Sequence, residues 1–242
     1  MELCKNSQGS YSGRCSFVVL VKVMTTIEEK LEKLEDYIRE KIPKYSREIK
    51  EDSKWMKFLN FFARAFNDGF MTDYITTTYP KVYWPKESMR FTSSVFRTTC
   101  HEAVHLLNAK RQTVFLHTFL YGFPQWLTLL SLLSILAVWL GPWWLLNLCW
   151  LLCLAPIPAY FRMREEREAY VMSMAVSYWM HGSVSDYQVE WIAKQFYTSQ
   201  YYFMWPFKKA IIKSLHKEKE RMMAGKYQHK PIFAKVKEII ES

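Results

Sequence analysis

Between Arg111 and Arg162 the chain carries no Asp, Glu, Lys or Arg, and roughly fifty uncharged residues in a row exceed what two buried helices of a small soluble core need. Gly141-Pro142 divides this run. At a helical rise of 1.5 Å per residue, Phe119–Leu140 reaches about 33 Å and Trp143–Phe161 about 28 Å, each close to the roughly 30 Å of a bilayer's hydrocarbon core. Residues 112–161 are therefore expected to form a hairpin of two membrane spans. Pro156 and Pro158 kink or shorten the second arm, which leaves a re-entrant or surface-lying hairpin as the alternative geometry. A two-span hairpin returns to the side it left. Lys110 and Arg111 precede it and Arg162, Arg164 and Arg167 follow it, so the excess of positive charge places both roots, and the two termini with them, in the cytoplasm.

Just before the run stands Cys100-His101-Glu102-Ala103-Val104-His105. Residues four apart share a helix face, so His101 and His105 can hold one metal ion. Glu102, about 100° round the helix, is placed to reach a water on the ion's open side. Imidazole pairs at this spacing suit Zn2+, which in hydrolases takes three protein ligands and keeps a fourth position open. The third ligand is expected from Arg164-Glu165-Glu166-Arg167-Glu168-Ala169-Tyr170, just after the run. There Glu166, Tyr170, Ser173 and Ser177 form one polar stripe of a helix among Val171, Met172, Met174, Ala175 and Val176, and a buried polar stripe needs partners. Glu165 and Glu168 point about 100° and 200° away and are the alternatives. His117 lies about 18 Å beyond His105 along a continuous helix, and His181 about 22 Å beyond Glu166, so neither is expected as a ligand. A metal shared across the run again requires an even number of crossings.

Ahead of the motif, Ile75–Trp84 is rich in β-branched and aromatic residues and reads as a strand. Pro80 and Pro85 confine it to a sheet edge, where it could hold an extended peptide by strand addition. The order strand, His-Glu-x-x-His helix, hydrophobic hairpin and Glu-x-x-Ala helix resembles the gluzincin metallopeptidases. It is most similar to the membrane-embedded branch that contains the CaaX prenyl proteases and the bacterial heat-shock membrane proteases. The resemblance implies a mainly α zincin-like core with a short edge strand and an inserted transmembrane helical hairpin. It implies a zinc-dependent peptidase at the cytoplasmic membrane face, with His101, His105 and Glu166 on the zinc and Glu102 as general base. Glu166 stands where that branch opens a Glu-x-x-Ala-Asp pattern with its third ligand. This chain has Tyr170 in place of the Asp that orients a ligand histidine, which motivates a second class: a non-catalytic membrane scaffold or binding protein that keeps the zincin fold.

A formal charge of +10 with 17% aromatic residues and ten Trp suits an anionic membrane surface better than DNA, and no nucleic-acid motif is present. The expected partners are thus the lipid membrane and not nucleic acid, and the resemblance implies a peptide or protein substrate besides. Five cysteines, Cys4, Cys15, Cys100, Cys149 and Cys153, make no disulfide framework; Cys149 and Cys153 are expected to be buried small hydrophobes. Residues 1–24 read as a flexible segment whose apolar stretch, Phe17–Leu20, is too short for a span or a signal peptide; Met24 opens a cleaner helical segment. Within residues 25–111, Thr26 and Glu29 form a capping box for an amphipathic helix with Ile27, Leu31, Leu34 and Ile38 on one face, ended near Pro43. A second helix is expected from Ser53 to Ala65, packing Trp55, Phe58, Leu59, Phe62 and Phe66 into the core. Residues 162–205 hold the third-ligand helix and a helical segment, Asp186–Tyr202, whose Tyr197, or Tyr201 or Tyr202 beside it, could serve as an oxyanion donor. Residues 206–242 form a basic amphipathic tail with Pro206 at a helix start.

Overall fold

The computed structural model describes residues 13–64, 68–89, 92–155, 157–198 and 203–242. The chain is mainly helical, as expected, with three short strands among the described residues. It divides into two compact units, one up to Thr99 and one from Cys100.

The first unit opens with helix α1 (Gly13–Lys41). No proline interrupts this stretch, so the helix runs straight through the Thr26–Glu29 capping box at which it was expected to begin, and stops before Pro43. Leu31, Leu34 and Ile38 are buried as the spacing requires. Glu35, buried on the same helix, is held by Arg39 at 3.0 Å and Arg47 at 3.3 Å. Strand β1 (Ser46–Ile49), helix α2 (Lys54–Ala63) and strands β2 (Thr76–Thr78) and β3 (Lys81–Trp84) follow.

The sheet order is β1-β3-β2, with β3 parallel to β1 and antiparallel to β2. The expected single edge strand is therefore a hairpin whose second half lies in the middle of the sheet. Pro80 sits in the turn, where it removes no ladder donor, and Pro85 follows the last strand residue, so neither proline keeps β3 at an edge. Paired on both sides, β3 cannot accept a peptide. In α2, Met56 is buried, but Trp55 (48% exposed) and Phe58 (55%) stack on each other at the surface, against the expectation of core packing. Phe66 lies outside the described residues.

Helix α3 (Thr92–Gln112) carries the His-Glu-x-x-His motif. It ends at Thr113, whose φ of 72° is a conformation that β-branched residues rarely adopt. Beyond this break α4 (Val114–Gly122) sets off separately and packs against α6 (Tyr160–His181). After Phe123-Pro124 comes a 3-10 helix, Gln125–Leu136, continued by α5 (Ala137–Leu140). Gly141, at φ 105°, makes the turn that a side chain would strain, and a second 3-10 helix, Pro142–Leu154, returns along the first.

Among the described residues no single helix is long and apolar enough to cross a membrane; α4 and the Gln125–Leu140 segment meet at 83°. Pro124 is the reason: it cannot continue α4, so the first arm starts at Gln125 and not at Phe119. The 3-10 winding, at about 2.0 Å per residue, restores the length, giving arms of about 30 and 26 Å. Their surface is inverted relative to a water-soluble core. Val138, Trp139 and Trp143 are 80–82% exposed, whereas Ser131 is buried. Cys149 is exposed and Cys153 half-buried, both with free thiols, because the outward faces of the arms carry them; they are not the buried residues expected.

In the rest of the second unit α6 is the central helix. It contacts α4, α8 (Lys208–Met223) and α9 (Pro231–Glu241), and buries Ala169, Val171, Met172, Met174 and Ala175. Gly182, left-handed at φ 74°, closes it. Helix α7 (Asp186–Tyr197), capped by Ser185, packs on α8. Pro206 falls just outside α8, which begins at Lys208 and buries Ile211, Leu215 and Met222.

Candidate metal centre

His101 and His105 stand one turn apart on α3, and α6 brings Glu166 to them, with all three side chains buried. The two imidazole Nε2 atoms are 3.4 Å apart. Glu166 Oε2 lies 3.5 Å from His101 Nε2, and Oε1 lies 3.7 Å from His105 Nε2. Ligands at 2.0 to 2.1 Å from a tetrahedral ion are about 3.3 Å from one another. The three side chains thus already stand at nearly the separation that a shared zinc requires, and they form one group of potential ligands among the described residues.

Neighbouring hydrogen bonds prepare the same arrangement. His101 Nδ1 lies 3.2 Å from Ser173 Oγ, whose hydroxyl in turn donates to the Ala169 carbonyl at 3.4 Å. With its proton on Nδ1, His101 turns the lone pair of Nε2 toward Glu166 and His105. Glu166 Oε2 is buried and has no hydrogen-bond donor. Electron-rich atoms crowded in this way call for a proton or a cation between them. In the metal-free protein a proton serves. Burial works to lower the His105 pKa, but the charge and hydrogen bond of Glu166, aided by Glu102 and Glu165, push it up to about 9. Burial likewise works to raise Glu166, and the positive charge of His105 beside it holds it well below the usual carboxylate range instead.

Metal binding takes both imidazoles neutral. Since His105 keeps its proton up to about pH 9, zinc displaces one proton below that pH, while Glu166, already ionised, releases none. Zinc affinity is therefore expected to rise about tenfold per pH unit in the neutral range and to level off above about pH 9. Chelator-competition titrations at several pH values check this, and a flat profile would contradict it.

The structure separates the three glutamates. Glu165 accepts from Asn108 Nδ2 at 2.8 Å and Gln112 Nε2 at 3.2 Å, and Glu168 pairs with Lys230 at 2.7 Å. Glu166 alone of the cluster faces the histidines. The rest of the stripe is used too: Tyr170 sets its ring edge against His101 at 4.7 Å, and Ser177 accepts from Gln188 at 2.9 Å. At the position of the family Asp the chain therefore offers an aromatic contact, and the acceptor for His101 Nδ1 comes from Ser173. Glu102 is buried beside the pair, near enough for its charge to help raise His105.

One residue at the site escapes the sequence reading. Tyr121, near the end of α4, donates from its hydroxyl to Glu166 Oε1 and turns its ring toward His105 at 6.2 Å. Arg162 holds it from behind: Nε donates to the Tyr121 carbonyl at 3.1 Å, the guanidinium covers the ring at 5.3 Å, and an NH2 donates to Gln125 at 3.2 Å. His117 stacks on Tyr121 and lies outside the ligand group, although the break at Thr113 removes the continuous helix that was expected to carry it away. His181 is exposed at the far end of α6. Tyr197 ends α7 under Lys208, while Tyr201 and Tyr202 lie outside the described residues. Because Tyr121 fixes the carboxylate and donates no electron pair to the metal, Tyr121→Phe is expected to weaken zinc binding about 10- to 100-fold without abolishing it. Competition with a chelator measures the effect; wild-type affinity would remove Tyr121 from the site.

Comparison of the chain with protein-family models, with characterised proteins and with solved structures finds no match.

Proposed function

We propose that the protein is a membrane-associated, zinc-dependent metallopeptidase of the gluzincin kind, anchored by the Gln125–Leu154 hairpin, with its metal site at the cytoplasmic face. The buried triangle of His101, His105 and Glu166 carries this reading, since its edges of 3.4 to 3.7 Å suit one tetrahedral ion. Zinc in such a set supplies Lewis acidity, polarising a carbonyl and lowering the pKa of water to about 7. His101, through Ser173, keeps the tautomer that presents Nε2. Glu166, through Tyr121, keeps its carboxylate in place. Glu102 takes the proton of the water whose oxygen attacks the peptide carbon, and delivers it to the amine nitrogen as the C–N bond breaks. Zinc content and cleavage of a peptide library, with Glu102→Gln beside the wild type, test the assignment.

The membrane half of the reading is supported by the inverted surface of the hairpin. Its apex, Val138 to Trp143, exposes large apolar side chains, a patch that costs free energy in water and none in lipid. Arms of about 30 and 26 Å match the hydrocarbon thickness. A cysteine at Leu140, in a protein whose Cys4, Cys15, Cys149 and Cys153 are replaced by serine, is expected to react with an impermeant reagent only from the side opposite the metal site. Labelling from the same side would replace two spans by a re-entrant or surface-lying hairpin.

A further inference from the structure

Beyond the metal site, the second unit contains a cavity of about 270 Å³ between the first half of α6 and the turn joining α8 to α9. Arg164, Arg167, Arg221, Lys226, Lys230 and His229 line it. The two carboxylates that also line it are already engaged. Glu168 is held by Lys230 at 2.7 Å, and Glu218 by Arg221 at 3.3 Å and by the Tyr227 hydroxyl at 2.7 Å. Arg167 has a neutral partner, the Ser214 hydroxyl at 2.9 Å. Among the described residues, no carboxylate lies within ion-pair distance of Arg164, Arg167 or Lys226. Cations gathered round one concavity repel each other unless an anion joins them, and the planar guanidinium fork matches the oxygens of a phosphate.

The walls are fixed before any ligand arrives. Gly225, at φ 74°, shapes the turn, and the Lys230–Glu168 pair ties that turn to α6. The Tyr227 ring packs on Phe233 at 4.9 Å. The volume is close to the lower end of small-ligand sites, roughly 300 Å³, so the space suits a phosphate with a small substituent and not a dinucleotide.

We propose that this cavity is a phosphate-binding site, distinct from the metal centre, and that it takes the phosphodiester of an anionic lipid headgroup or a free phosphate of the same chemistry. The headgroup source rests on the membrane reading above: Arg164 stands one helical turn past Tyr160, where α6 leaves the apolar run, and Arg167 about two turns past it. The phosphate class rests on the lining alone.

The test uses the full chain in neutral-detergent micelles. Inorganic phosphate is titrated calorimetrically, and dioctanoyl phosphatidylglycerol is added to the micelles in a second arm. The double variant R164Q/K226Q removes two unpaired cations from the cavity. K213Q/K217Q removes the same charge from exposed positions of α8 outside it. Saturable binding in either arm that weakens at least tenfold in R164Q/K226Q, and less than twofold in K213Q/K217Q, is the expected result. The arm that binds identifies the source. Absence of binding in both arms, or equal losses in the two variants, overturns the proposal. Neither readout involves zinc or cleavage, so its failure leaves the peptidase reading standing, and failure of that reading leaves the cavity to be judged by its own titration.

Discussion

Replacing His105 by alanine is expected to strip the protein of zinc. A closed zinc site is worth about 10 to 16 kcal/mol over four ligands, so one ligand carries about 3 kcal/mol, and its loss weakens binding a hundredfold or more. The two donors left, His101 and Glu166, cannot enclose an ion. Glu166→Ala should give the same loss, whereas Glu165→Gln should retain zinc, because the Glu165 carboxylate is engaged by Asn108 and Gln112. The metal-free protein should also suffer. His105 and Glu166 are 7% and 3% exposed, and breaking a buried charge pair by removing one partner costs about 3–5 kcal/mol. Zinc stoichiometry by mass spectrometry and unfolding in the presence of chelator measure the two effects separately. Full zinc occupancy in His105→Ala would show that the ligand set is wrong.

Glu102→Gln should act in the opposite manner, preserving zinc and fold while removing turnover. The amide keeps the shape of the carboxylate but accepts no proton from the attacking water. General-base assistance is typically worth about 10² to 10⁴ in rate. The expected signature is therefore a large fall in kcat with unchanged zinc content and unchanged Tm. A Glu102→Gln protein that cleaved peptides at the wild-type rate would leave the non-catalytic scaffold as the better reading.

The parts of the site that follow from helical periodicity were legible in the sequence. His101 and His105 meet because four residues make one turn, and Glu166 could be told from Glu165 and Glu168 by the stripe that it shares with Tyr170, Ser173 and Ser177. Ser173 was visible in that stripe, but its bond to His101 depends on how two helices distant in sequence pack. Tyr121 was not legible at all. It reaches Glu166 only because Thr113 breaks α3 from α4, and a threonine at positive φ has no sequence signature. In the sheet, Pro80 was read as a strand residue at an edge, whereas it turns the chain and leaves β3 in the middle. The aromatic stripe of α2 shows that apolar spacing fixes which residues share a face and not which face is covered. Among the hydrophobic arms, composition gave the hairpin and its turn at Gly141, while the 3-10 winding that sets their length left no trace in the pattern.

Arg162 makes the hairpin and the third ligand parts of one lever. Sitting in the first turn of α6, it grips the last turn of α4 through the Tyr121 carbonyl and the start of the first arm through Gln125, and the Tyr121 hydroxyl then grips Glu166. The fulcrum is the 83° elbow at Phe123-Pro124. One arginine thus ties the elbow, Tyr121 and the third ligand together, so that a change at Arg162 reaches all three at once.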